Sequence, residues 1–401
     1  PITGNIIMAT NTALNSNDIT QLGYVALQNY LKNKPIDQVA QERPLLKALT
    51  AKKKPWGGGK ENIVEQLRTG YDSNFQWFGE GATTKNTTDT VTYNTRDTVR
   101  QAYWPWCSAH DGFYFTEDFL LGNGIIVTDS APRNSSSAGL VQLTNIFNEG
   151  METLRLGFEE ILDLSLHLDG TIDPGGSGTS SSGRIINGLD FIVDIKDASS
   201  TVGGIVKTAH TGSNYWNNHW NDGTGLDIND AAGTGIANAD LIDSMTAMWR
   251  ECQKNGGSPD IILAGSTFID NFRAAADSAV SRYAVQPTQQ AQMPWNLDPS
   301  VEVKNSGTFT GLYFQGVPIL WDPSFDGGCT TKDSSATYAW KRRCYFLNSN
   351  HLALRPIEGN DMVARKPPRQ YNKYEYYWGM TWRGSLTANR LNCHGVLWCA
   401  A

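Results

Sequence analysis

Between Ser137 and Leu168 apolar residues return every three or four positions: Leu140, Leu143, Phe147, Met151, Leu154, Phe158, Ile161 and Leu168, with Ser165 on the same stripe. That period is one face of an α-helix, and Ser137 is placed to cap it. Glu149, Glu152, Arg155, Glu159 and Glu160 fall largely off the stripe. About 30 residues at 1.5 Å each make a rod of roughly 45 Å. The average helix has ~11–12 residues, so few folds have room for this one. Its apolar side has to be covered by another layer.

The flanking sequence supplies candidate layers. Leu241, Ile242, Met245, Met248, Trp249 and Cys252 mark a second helix face that ends at Gly256-Gly257. Pro259–Ala264 (PDIILA) reads as a short buried strand. Ser266 or Thr267 then caps a helix holding Phe268, Ile269, Phe272 and Ala275. From 300 to 401 the chain reads mostly as strand, for example Thr308–Leu320, Cys344–Leu347 and Tyr371–Trp382.

Other segments do not close on themselves. Residues 1–54 are polar, with one amphipathic piece from Ile19 to Leu31 and the cluster Lys52, Lys53, Lys54. So few large apolar residues cannot fold alone, and the arm is expected to lie across something else. After the breaker Pro55–Gly59, Glu61–Thr69 and Thr90–Ala102 read as two strands of a long hairpin. Phe75, Trp77 and Phe78 lie near its tip. A lone hairpin is marginal in water, and no adjacent sequence clearly offers its apolar face a partner. Gly170–Gly183 is low-complexity, and Thr208–Asn238 is a polar stretch carrying Trp216 and Trp220; both read as loops.

Composition excludes several classes. The chain has 401 residues and a net charge of −7, against a strongly basic nucleic-acid binder. The 10% aromatic content argues against disorder. The stretch closest to a membrane span, Phe119–Thr128, has ten residues where a spanning helix needs ~20. Residues 1–30 carry no basic start followed by an apolar block. Pro1 fits either removal of an initiator Met or cleavage of a longer precursor. Six cysteines in this length are too sparse for a disulfide framework and read as reduced thiols. Thirteen Trp serve a large core or an interface.

No catalytic pattern stands out. Gly57–Glu61 lacks the spacing and the hydroxyl of a phosphate loop, and no Gly-x-Ser-x-Gly or His-Glu-x-x-His occurs. His210, His219 and Asp222 share a loop where a metal is conceivable, but solvated loop histidines are the simpler reading. Cys393 and Cys399 have no second pair, and Asp169 with Asp173 suits turn chemistry. The basic clusters Lys52–Lys54, Lys341–Arg343 and Arg365, Lys366, Arg369 read as solvated faces or intersubunit ion pairs, or as local phosphate contacts. The chain is therefore expected to be no enzyme, with no cofactor and no catalytic or metal residue.

The series Asn255–Arg273 (NGGSPDIILAGSTFIDNFR), Tyr313–Phe325 (YFQGVPILWDPSF) and Cys344–Pro356 (CYFLNSNHLALRP) resembles tailed-bacteriophage major capsid proteins of the Hong Kong 97 fold. The order arm, hairpin, long helix, α/β block and late strands resembles that family too. The resemblance implies an α+β fold divided as follows: 1–54 an N-terminal arm, 55–118 an extended β-hairpin loop, 119–170 a peripheral domain with the spine helix, 171–343 an α/β axial domain, and 344–401 strands returning to both. It implies hexamers and pentamers closing into an icosahedral virion shell around double-stranded DNA, assembled in host cytoplasm. Its implied partners are other copies, a portal protein, a separate scaffolding protein unless a segment was cleaved before Pro1, a decoration protein on some shells, and packaged DNA held without sequence specificity. Membrane is not among them. Trp77, Phe78 and Lys85 are the implied inter-subunit contacts. Some members also cross-link a Lys to an Asn; Lys85 with Asn389 or Asn392 could be imagined in that role and is not favoured. Two other classes stay open: an encapsulin-like compartment, told apart by an enzyme cargo, and a secreted carbohydrate-binding protein, told apart by sugar affinity as a monomer.

Overall fold

The computed structural model describes residues 41–68, 70–71, 73–77, 91–96, 98–122, 127–128, 131–132, 137–175, 185–195, 201–207, 216–223, 233–254, 256–278, 309–333, 338–368 and 372–400. In chain order the main elements are α1 (Pro44–Ala51), β1 (Asn62–Arg68), β2 (Val99–Pro105), β3 (Cys107–Thr116), α2 (Glu117–Gly122), β4 (Val127–Thr128), β5 (Ala131–Pro132) and α3 (Ser137–His167). There follow α4 (Leu189–Ile192), β6 (Thr201–Val202), β7 (Ile205–Val206), β8 (His219–Asn221), α5 (Leu241–Lys254), β9 (Ile261–Ala264) and α6 (Ser266–Ser278). The last part holds β10 (Phe309–Phe314), β11 (Val317–Trp321), a π-helical turn (Phe325–Cys329), β12 (Arg343–Leu347), β13 (Leu352–Pro356), β14 (Val363–Arg365), β15 (Glu375–Ala388) and β16 (Gly395–Trp398).

Two sheets organise these elements. The larger has six strands in the order β10-β11-β9-β12-β16-β8. Both faces of its central strands are covered, which is why β9 (IILA) and β16 (GVLW) read as unbroken apolar runs rather than alternations. Along β9, Ile262 and Ala264 join α5 and α6 in one core, while Ile261 and Leu263 join the other. Cys344 and Phe346 against Tyr345 and Leu347 do the same along β12. The smaller sheet centres on β15, with β13 and β14 along one edge and β3 along the other.

The long helix links the layers. Near its N-terminal half, Phe147 meets Trp378 of β15 edge-on with ring centroids 5.2 Å apart. Gly150 lets the ring of Phe113 approach, since a Cβ there would lie 3.2 Å from Phe113 Cζ. Leu154, Phe158, Leu162, Leu164 and Leu166 enter the main core. The one-sided stripe does not persist to the end: from Leu162 to Leu168 every residue except Ser165 is buried, because the last turns run between both layers. Gly188 closes that end, as any Cβ would lie 2.6 Å from the carbonyl oxygen of Ser165.

For residues 41–54, what the arm lies across is this chain's own core: Leu45, Leu46, Ala48 and Leu49 are buried in it, with α1 against β13 and the long helix. Pro44 fits the first turn of α1, where no helical N–H is needed. The chain then runs along β13, with Lys54 N donating to Leu354 O at 2.9 Å and Trp56 N to Pro356 O at 2.9 Å. Residues 1–40, including Ile19–Leu31, lie outside the described residues.

The root of the hairpin also has a partner within the chain. β1 and β2 pair antiparallel from Asn62↔Pro105 to Arg68↔Val99, and the face carrying Ile63, Leu67, Ala102 and Trp104 is buried in the main core. The β6–β7 turn sits against β2, with Tyr103 N donating to Gly203 O at 2.8 Å. Gly203 has φ +62 and a Cβ there would lie 2.9 Å from that of Ala102, so the turn can approach only as glycine. β3 leaves the hairpin and pairs with β15 over ten positions.

Candidate functional site

Beyond the ladder the hairpin changes character. Residues 73–77 alternate between half-buried and exposed. The Asn74 side chain donates to Thr92 O and the Gln76 side chain to Thr92 Oγ1, and Thr92 N donates back to Gln76 Oε1 at 3.3 Å. These bonds tie the two arms together and leave Phe75 and Trp77 pointing away. The two rings meet edge-to-face at 5.2 Å, with Phe75 72% and Trp77 91% exposed. Tyr71 and Tyr93 are exposed as well. Four large apolar side chains on one projecting element are a surface that gains by being covered, at about 1.5–3 kcal/mol for each one fully buried. Thr90–Ala102 does not run as one strand: Val91, Tyr93 and Thr95 are exposed like their alternates, and the strand begins at Val99. Of the expected contact residues, Trp77 is exposed, and Phe78 and Lys85 lie outside the described residues.

A second cluster was not legible from the sequence. Asp163 and His167, one turn apart near the end of α3, meet Asp322 just after β11. His167 Nε2 lies 2.9 Å from Asp322 Oδ2 and Nδ1 lies 2.7 Å from the carbonyl oxygen of Asp163. Ser324 Oγ donates to Asp163 Oδ2 at 2.6 Å, and Ser324 N to Asp322 Oδ1 at 3.0 Å. All three titratable groups are fully buried. Burial alone would push the His167 imidazole down, but the charges of Asp322 and Asp163 and hydrogen bonds to both raise it to about 9. Burial pushes the Asp163 carboxyl up to about 6 against the opposing charge of His167. His167 is therefore an imidazolium at neutral pH and donates from both nitrogens. With these bonds the cluster acts as a charge-assisted tie between the long helix and the larger sheet.

The remaining sequence candidates resolve as structure. His219 is a buried residue of β8, not a solvated loop histidine, and burial lowers its pKa. Asp222 is buried and accepts from Tyr338 Oη at 2.7 Å. His210 lies outside the described residues. Asp169 Oδ1 accepts from Thr171 N at 2.9 Å and Asp173 Oδ1 from Gly175 N at 3.0 Å, the turn chemistry expected of them. All six cysteines are free and buried, and burial pushes Cys107 up to about 11 and Cys393 up to about 12, which makes them poor nucleophiles. Several basic residues pair within the chain: half-buried Lys52 with Asp260 at 3.4 Å, exposed Lys53 with Asp361, and buried Arg343 with Asp190 at 2.6 Å. Arg343 also lies 3.8 Å over the ring of Trp340. Among the described residues no helix is long and apolar enough to cross a membrane.

The fold is similar to that of a protein in the cyanophage A-1(L) capsid asymmetric unit, at 15% identity over 92% of this chain and 97% of that one, with a TM-score of 0.56. A chain in the capsid of Myoviridae phage XM1 aligns over 93% of this chain and 97% of its own length at 10% identity and a TM-score of 0.47. One in the capsid of a native GTA particle aligns over 94% and 98% at 12% identity and a TM-score of 0.44. No family model matches the sequence, and no curated protein matches it. The cyanophage likeness establishes that the chain has a capsid-protein fold of mixed helix and sheet.

Proposed function

We propose that the chain is the major capsid protein of a tailed bacteriophage, assembling as hexamers and pentamers into an icosahedral shell around double-stranded DNA. The observation that carries the proposal is the fold shared with the cyanophage capsid protein over nearly the whole of both chains. The exposed end of the hairpin supports it: its root is fixed in the core while Phe75 and Trp77 project with nothing of the described chain to cover them. A neighbouring copy is the natural cover. One sequence repeated many times needs heterologous contacts that close into a shell, and modest contacts suffice because multivalency multiplies them. A net charge of −7 keeps the shell from clinging everywhere to packed DNA.

In this assignment the smaller sheet with α3 forms the peripheral domain and the larger sheet with α5 and α6 the axial domain. The 344–401 strands serve both: β12 and β16 lie in the larger sheet, β13, β14 and β15 in the smaller. Further partners would be a portal protein, scaffolding and decoration proteins, and the site of action the virion, after assembly in host cytoplasm. Negative-stain electron microscopy with light scattering of the purified native material tests the proposal. Closed particles of several megadaltons that package DNA are expected. Closed particles holding an enzyme cargo would point to a host compartment, and a chain that stays monomeric with scaffolding protein supplied would overturn the proposal.

A further inference from the structure

The cluster at the end of α3 holds more negative charge than its own cation can cancel. Asp163 and Asp322 are 1% and 0% exposed, and His167, also 0% exposed, brings one positive charge at most. Two nearby arginines are engaged elsewhere: Arg343 with Asp190 at 2.6 Å and Arg43 with Glu160 at 3.8 Å. With both carboxylates ionised, one negative charge stays buried without a counterion, which is costly. The polar contacts hold the three side chains from behind. Ser324 N donates to Asp322 Oδ1 and Ser324 Oγ to Asp163 Oδ2, so one oxygen of each carboxylate is fixed by the chain. Of the other two oxygens, Asp163 Oδ1 is buried with no hydrogen-bond partner, and Asp322 Oδ2 faces His167 Nε2 at 2.9 Å. His167 donates from Nδ1 to the backbone carbonyl of Asp163, which turns Nε2 toward Asp322. Phe325, on the π-helical turn, meets the imidazole edge-on at 5.1 Å. One donor atom from each of Asp163, His167 and Asp322 lies within 4.8 Å of the other two. An imidazole held through its far nitrogen by a carbonyl, beside carboxylates held by hydrogen bonds, is how metal ligands are oriented.

We propose that Asp163, His167 and Asp322 bind one divalent transition-metal ion of the zinc class, which takes the place of the Nε2 proton. The proton leaves to solvent, the imidazole becomes a neutral donor, and the two charges of the ion cancel the two carboxylates. One nitrogen and two oxygens, with a fourth position for water or the Ser324 hydroxyl, suit the four-coordinate preference of zinc. Metal–ligand bonds of about 2.0–2.2 Å at tetrahedral angles set ligand atoms roughly 3.4 Å apart, so the His167–Asp322 pair opens by about half an ångström. The ion and the proton compete for one place, and each ties the last turn of α3 to the segment after β11.

The test is equilibrium dialysis of the unassembled full chain, stripped with a chelator and then held against zinc, with bound metal read by mass spectrometry. The ligands are buried, so uptake is followed to its plateau. About one ion per chain with a dissociation constant below about 1 μM is expected. Asp322→Asn, nearly isosteric and still an acceptor for Ser324 N, should weaken binding at least about tenfold. His110→Ala, on an exposed strand position, should bind as the wild type does. Cobalt in place of zinc reads the ligand set in the wild type, whether or not Asp322→Asn folds. The visible bands of a four-coordinate ion are expected, without a near-ultraviolet thiolate band, because the ligands are nitrogen and oxygen. No metal bound at saturating zinc, undiminished affinity in a folded Asp322→Asn chain, or a thiolate band overturns the proposal and leaves the shell reading standing.

Discussion

Replacing His167 by Leu should cost more than any loss of packing would suggest. The substitution removes the only cation of the buried cluster and leaves Asp322 with a carboxylate that Ser324 N alone still meets through Oδ1. Breaking a buried charge pair from one side typically costs about 3–5 kcal/mol. Adding Asp322→Asn should reduce that cost, because no buried charge is then stranded and the acceptor for Ser324 N is kept. The sign of the pH dependence follows from the raised pKa. A histidine held at about 9 in the fold and near 6.5 when unfolded stabilises fully below pH 6.5 and loses that contribution as pH rises through 9. At 1.36 kcal/mol per pH unit the loss is ~3 kcal/mol. Urea unfolding of the unassembled chain, followed by Trp fluorescence near pH 6.5 and near pH 9.5, measures both effects. The gap between wild type and His167→Leu should narrow at the higher pH. A gap below ~1 kcal/mol at the lower pH, or one that does not change with pH, would refute the charged tie.

Three other outcomes are expected. Phe158→Ala, 5% exposed in the main core, should destabilise the chain by ~3–5 kcal/mol in the same unfolding assay, whereas half-buried Glu159→Ala, which loses its pairing with exposed Arg155, should cost under ~1 kcal/mol. Gly188→Ala should be destabilising by ~1–3 kcal/mol or more, read as a lowered melting midpoint, since its Cβ meets the carbonyl oxygens that end the long helix. Phe75→Ala with Trp77→Ala should leave the melting midpoint within about one degree and sharply reduce the yield of particles by light scattering, because both rings are exposed in the single chain.

Legibility in the sequence followed the range of the interactions. The long helix was readable because its period repeats through eight turns, and β9 because four apolar residues between Pro259 and Gly265 leave little choice. The sequence placed the end of the last long strand at Trp382, yet β15 continues to Ala388. Gly384 there is no turn: a Cβ would lie 2.6 Å from Arg355 O, so glycine permits the close approach of β13. Alternation misled at Thr90–Arg96, where neither set of side chains has a core to enter. The partner of the hairpin root was hidden because the β6–β7 turn that meets it is distant in sequence and short. The cluster at His167 was hidden for the same reason: Asp163 and His167 stand one turn apart, but Asp322 is 155 residues away from His167.

The central claim is that the exposed end of the hairpin is covered by a neighbouring copy in a closed shell. Single-particle reconstruction of assembled particles tests it most directly. Phe75 and Trp77 of one copy should lie against the folded body of the next, with the two sheets and α3 recognisable in every subunit. Closed shells in which both rings still face solvent, or no closed particle at all, would contradict it.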